Sequence, residues 1–120
     1  VSKKILIVDD SPTDIRLMSI PLKAKGYEVS TAADGDEALT KAIQIQPNLV
    51  ILDVVMPKKD GFQVCRQLKA NPETKGIKVI LLTSKSQKSD RFWGLKQGAD
   101  VYLTKPFAEE ELLGHINQLT

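Results

Sequence analysis

Apolar residues along this 120-residue chain gather in five short runs, at Ile5–Val8, Glu28–Ala32, Leu49–Leu52, Val79–Leu82 and Val101–Leu103. All but the second are near-continuous rather than alternating, as in strands covered on both faces. Between the runs, apolar positions recur at helical spacing. Ser11 is a fitting N-cap, Pro12 suits the first helical position, and Asp14 lies three residues after the cap. Ile15, Met18 and Leu22 then mark one face until Gly26 stops the helix. Pro21 falls inside that helix, where it removes one backbone bond and is expected to bend the last turn.

A second helix carries Ala38, Leu39, Ala42 and Ile43 and ends before Pro47. A third carries Val64, Cys65 and Leu68 between Gly61 and Asn71-Pro72. The fourth, Asp90 to Gln97, is the weakest, with a glycine inside it and the polar stretch Ser84–Ser89 before it. The fifth runs from Ala108 to about Leu119, with Leu112, Leu113, Ile116 and Leu119 inward. Glu109 to Glu111 occupy its first turn, where the helix dipole favours acids. Strand and helix thus alternate five times, with connections short enough for parallel crossovers. Right-handed crossovers place helices on both faces of a five-stranded parallel sheet. The expected fold is a doubly wound α/β, (βα)5, filling one domain over residues 1–120.

Composition adds bounds. Apolar residues make up 42% and charged residues 27%, ordinary values for a globular domain. A net charge of +2 gives no argument for nucleic acid or an anionic membrane surface. A single cysteine, Cys65, excludes an internal disulfide and a thiolate zinc cluster, and its helical position suits an inert core thiol. No apolar run approaches the roughly 20 residues that span a bilayer, and no signal peptide is evident. These features lead us to expect a cytoplasmic protein without membrane insertion. The lone His115, on the last helix, is expected to lie at or near the surface.

The chemistry begins in ILIVDDSPTD, where Asp9 and Asp10 close the first strand. One explanation is helix capping, since an acid beside Ser-Pro suits a helix start. The other is that a cation belongs between the carboxylates. Asp53 decides for the second, because it closes the third strand in LVILDVVMP. In open parallel sheets the ligand site lies beyond the carboxyl ends of the strands. At roughly 4–5 Å, each carboxylate pair would repel by about 3–4 kcal/mol at an effective dielectric near 20. Folding tolerates that when pKa values rise or a cation binds. Oxygen-only donors point to a hard ion, and Mg2+ fits best. Thr83, ending VILLTS, and Lys105, in VYLTKPF, bring a hydroxyl and a cation to the same sheet edge. Such a set suits phosphoryl chemistry on an aspartate.

In order and spacing, Asp9-Asp10, Asp53, Thr83 and Lys105-Pro106, with MPKKDG (Met56–Gly61) and GAD (Gly98–Asp100), resemble the receiver domain of two-component response regulators. The likeness spans essentially the whole chain. It implies a flavodoxin-like strand order 2-1-3-4-5. It implies Asp53 as phosphoacceptor, and Asp9, Asp10, Asp53 and the Val55 carbonyl as ligands of Mg2+. Thr83 and Lys105 would contact the phosphoryl group, and the Lys105-Pro106 bond would be cis. Val55 and Lys85 stand where the family tunes phosphoryl lifetime, and an apolar valine cannot position an attacking water.

The resemblance makes the protein a phosphoaccepting switch rather than a turnover enzyme, its only catalysis its own phosphorylation and dephosphorylation. A sensor histidine kinase would supply the phosphoryl group. Thr83 would shift toward it, and Tyr102 would swing inward into the vacated space. Output would pass to a partner protein over the fourth helix, last strand and fifth helix, where weak homodimers are also allowed. Phe92 and Trp93 are adjacent, so one should lie near the surface, beside basic Lys85, Lys88, Arg91 and Lys96. The segment DRFWGLKQGADVYLTKPF is similar to stand-alone receivers of type IV pilus twitching motility and phototaxis, with chemotaxis-like control the closest rival.

Other readings fare differently. A flavin-binding redox protein needs a Ser/Thr/Gly phosphate loop after the first strand, and DDSPTD would repel phosphate. A phosphatase acting through an aspartyl phosphate needs a second acid two residues on and a cap domain. A phosphorylation-independent binding module would show loss of Asp53, Thr83 or Lys105, and all three are in place. A receiver module excised from a larger regulator stays open.

Overall fold

The computed structural model describes residues 2–120. Five strands, β1 (Lys4–Val8), β2 (Glu28–Ala32), β3 (Leu49–Leu52), β4 (Lys78–Thr83) and β5 (Val101–Thr104), alternate with five helices. These are α1 (Pro12–Ala24), α2 (Gly35–Ile45), α3 (Gly61–Ala70), α4 (Lys88–Lys96) and α5 (Glu109–Leu119). All strand pairs are parallel, in the order β2-β1-β3-β4-β5. The first connection moves one way from β1 and the third strand returns to its other side. That reversal leaves a crevice at the carboxyl ends of β1 and β3.

Alternation along the strands sorts the apolar residues into two layers. Ile5, Ile7, Leu49, Ile51, Ile80, Leu82 and Leu103 pack with Met18 and Leu22 of α1 and Leu112 and Ile116 of α5. Leu6, Val8, Val50, Leu52, Val79, Leu81 and Tyr102 pack on the other side with α2 and α3, through Ala38, Ala42, Val64, Cys65 and Leu68. Both faces of β1 and β3 are therefore covered, which is why their sequences run apolar without a break. Leu113 and Leu119 pack against the first layer but stay partly exposed. α1 continues through Pro21 to Ala24, so the proline shortens no element.

α4 departs most from the sequence reading. It starts at Lys88, two residues before the expected Asp90, because the Asp90 carboxylate accepts the Gln87 N–H (3.3 Å) and closes the first turn. Its sole buried residue is Gly94, where an added Cβ would lie 2.7 Å from the Tyr102 ring. The helix sits too close to the sheet there for a large side chain to enter. Phe92 and Trp93 are consequently both exposed, at 64% and 47%. The basic residues of this region are partly engaged: Lys85 pairs with Asp90 (3.8 Å), Arg91 donates to the Tyr102 carbonyl (3.5 Å), and Lys96 lies over the Phe92 ring. No described helix is long and apolar enough to cross a membrane.

Candidate functional site

The site grows out of strand ends. The Asp9 N–H donates to the Ala32 carbonyl (3.1 Å) and the Asp53 N–H to the Val8 carbonyl (3.0 Å), so the ladder holds both acids one residue past their strands. Asp9 and Asp53 continue the parity of Ile7 and Ile51, and their side chains emerge on the α1/α5 side. Lys105 continues the parity of Leu103 and is anchored by its N–H on the Thr83 carbonyl (2.8 Å). The Lys105–Pro106 peptide bond is cis. Three remote segments thus deliver their functional groups to one point.

At that point the Lys105 ammonium donates to Asp9 Oδ2 (2.7 Å), Asp14 Oδ2 (2.8 Å) and Asp53 Oδ2 (3.1 Å). Its charge is opposed by burial, but the bonds to Asp14, Asp9 and Asp53 outweigh that and hold its pKa above the ordinary lysine value. Asp9 is 1% exposed, and burial raises its pKa above the usual carboxylate range despite Lys105 and the Ser11 N–H (2.9 Å). Carboxylate oxygens of Asp9, Asp10 and Asp53 lie within 4.8 Å of one another, with Asp10 exposed to solvent. The second Asp53 oxygen accepts the Val55 N–H at 3.2 Å. An all-oxygen donor set with one open side fits a hard, partly hydrated divalent cation such as Mg2+.

The remaining expected residues sit around this centre. Thr83 is fully buried at the end of β4, and its Oγ1 accepts the Lys85 N–H (3.4 Å). Val55 has its side chain exposed beyond Asp53. Gly61 opens α3 directly against the acceptor strand: a Cβ there would meet the Asp53 carbonyl oxygen at 2.2 Å.

One expectation needs correction, and one residue does more than its position indicates. Tyr102, expected outside until modification, is already inward in this structure, 1% exposed, its hydroxyl donating to the Lys85 carbonyl at 2.7 Å. The small Gly94 leaves the ring a slot beside β5, and burial pushes the phenol pKa up to about 12. In sequence Asp14 shows only its helix-start role. Its backbone N–H does donate to Ser11 Oγ (3.3 Å), but its carboxylate turns to Lys105. The available signal was positional: α1 starts at the edge where the acids gather, so an acid in its first turn overlooks them.

This geometry has relatives. The family model described as the response regulator receiver domain matches residues 5–117. The chain belongs to that family. This receiver is 46% identical to protein PilH of Pseudomonas aeruginosa over 114 residues, covering 95% of this chain and 94% of PilH. It is 45% identical to response regulator PleD of Caulobacter vibrioides over 120 residues, all of this chain but 26% of PleD. The receiver therefore spans about a quarter of that longer relative and nearly the whole of the shorter one. Among solved structures, chemotaxis response regulator CheY4 of Vibrio cholerae superposes with TM-score 0.92 at 35% identity, covering 100% of both chains. Receivers of this family work with histidine kinases and downstream effectors, and typically bind Mg2+.

Proposed function

We propose that this receiver is switched by phosphorylation of Asp53, and that Asp9, Asp10, Asp53 and the Val55 carbonyl hold Mg2+ during the reaction. The observation that carries this reading is the Lys105 ammonium, bonded to Asp9 and to Asp53 from a segment remote in sequence. An aspartate carboxylate beside a cation is a competent nucleophile. One Asp53 oxygen attacks the phosphorus of a kinase phosphohistidine or a small acyl phosphate. The bond from phosphorus to the donor atom breaks, and its electron pair leaves with the donor. Lys105 and the Thr83 hydroxyl then donate to the phosphoryl oxygens, where charge develops. Bound Mg2+ supplies further charge neutralisation at that group.

Relaxation is hydrolysis of the same acyl phosphate, and the apolar Val55 offers no group to position the water. The signal leaves through Thr83, which bonds the Lys85 N–H, while Tyr102 bonds the Lys85 carbonyl. Both sides of one residue therefore report on the site, and Lys85 leads into α4. Output would go to a protein partner over α4, β5 and α5, with weak self-association through the same face. A histidine kinase as donor implies a cytoplasmic setting. A role in pilus-driven or flagellar motility is supported by likeness to PilH and to a chemotaxis regulator.

Intact mass after incubation with acetyl phosphate and Mg2+ tests the acceptor. Wild type is expected to gain one phosphoryl group and Asp53→Asn none. Equal labelling of both, or none in either, overturns the proposal.

A further inference from the structure

An ammonium has three protons to donate, and here three carboxylates take all of them. A phosphoryl oxygen can reach Lys105 only if one partner lets go. Asp9 is a poor candidate, because its side chain is 1% exposed and water cannot take the place of the ammonium there. Asp53 is the group being modified. Asp14 remains, with its side chain 34% exposed and both it and Lys105 lining a surface cleft open to water. Released, it is rehydrated at little cost. The ammonium also sits nearer to Asp14 (2.8 Å) than to Asp53 (3.1 Å) in the present state.

We infer that Asp14 is a positioning residue that latches Lys105 in the unmodified receiver and restrains phosphoryl transfer from anionic donors. The inference rests on Asp53 as acceptor, as proposed above. During transfer from acetyl phosphate, the bond from Asp53 oxygen to phosphorus forms as the bond to acetate breaks, and acetate leaves with the electron pair. Meanwhile the Lys105 proton held by Asp14 turns to a phosphoryl oxygen. Asp14 opposes this twice, by competing for the ammonium and by placing negative charge beside the group that must receive an anionic donor. Its place on the first turn of α1, held by the Ser11 cap, keeps the carboxylate aimed at Lys105.

The test compares wild type, Asp14→Asn and Asp14→Glu, labelled by acetyl phosphate at saturating Mg2+ and followed by intact mass, with thermal melts confirming the fold. Asp14→Asn is expected to label faster at low salt by roughly three- to fivefold, the scale of a partly exposed ion pair. The advantage should shrink as salt screens the charges. Asp14→Glu should restore the slow rate. A merely structural role would give neither the salt dependence nor the rescue. Equal or slower labelling of Asp14→Asn overturns the latch, as does an acceleration indifferent to salt or unrescued by Glu. Wild type that takes no label at all sinks the acceptor assignment, and the latch falls with it.

Discussion

Cys65 illustrates how environment alone sets a side chain's chemistry. It lies on α3 against the sheet, fully buried, its thiol directed at the Gln97 carbonyl (3.7 Å). Burial pushes the thiol pKa up from 9.0 to about 11, with Lys69 opposing and Asp100 adding to the shift. The folded state therefore resists losing this proton, while an unfolded thiol ionises near 9.0. The stabilisation is fully present below pH 9.0 and is lost as pH rises through about 11. Two units correspond to roughly 2–3 kcal/mol. Denaturant titrations across that range are expected to show wild type losing stability more steeply than Cys65→Ala, and parallel curves would refute it. The sequence identified an inert core thiol from helical spacing. It could not rank Asp14 in the same way, because cap and lysine partner need the same residue type at the same position.

At the scale of elements, the most demanding junction is that between β3 and α3. Asp60 caps α3 by accepting the Gln63 N–H at 2.9 Å, and the Gly61 N–H returns to the Val54 carbonyl at 2.9 Å. The helix start is thereby pressed against the backbone that carries the acceptor. A Gly61→Ala methyl would meet the Asp53 carbonyl oxygen at 2.2 Å, with no flexible side chain able to yield. The expected cost is about 3 kcal/mol or more, at the upper end for overpacking. Urea unfolding measures it, and acetyl phosphate labelling should fall as well, because the acceptor strand must move. A loss below about 1 kcal/mol would show that this contact is soft. The sequence located α3 from Gly61 and the Val64, Cys65, Leu68 spacing, and its end from Asn71-Pro72. It showed the glycine as a helix start only, since a backbone-to-backbone approach leaves no trace in local pattern. The same holds for α4, where the approach of Gly94 to Tyr102, a contact between elements, keeps both aromatics outside.

Across the whole molecule, the acids at the crevice are balanced by one lysine, and the surplus negative charge favours a divalent ion. An ion that binds the folded chain alone stabilises it by about 2.7 kcal/mol at a hundredfold excess over its Kd. Thermal melts are thus expected to rise in Mg2+ relative to K+ at equal ionic strength, and to rise much less in Asp10→Asn. Identical melts with and without Mg2+ would remove the metal site.

The chain's own pattern determined a good deal here. Apolar runs and helical spacing determine element type and order because burial on both sheet faces demands unbroken Val, Ile and Leu. The same runs mark where strands end, and so where Asp9, Asp10, Asp53 and Lys105 must surface. Which acids share the lysine was decided only by tertiary structure. Strand order, pleat parity and the approach of α1 set distances between segments separated by 52 to 96 residues. Local sequence carries hydrophobicity and propensity, whereas a charge's partner depends on what the folded backbone brings within 3 Å or so.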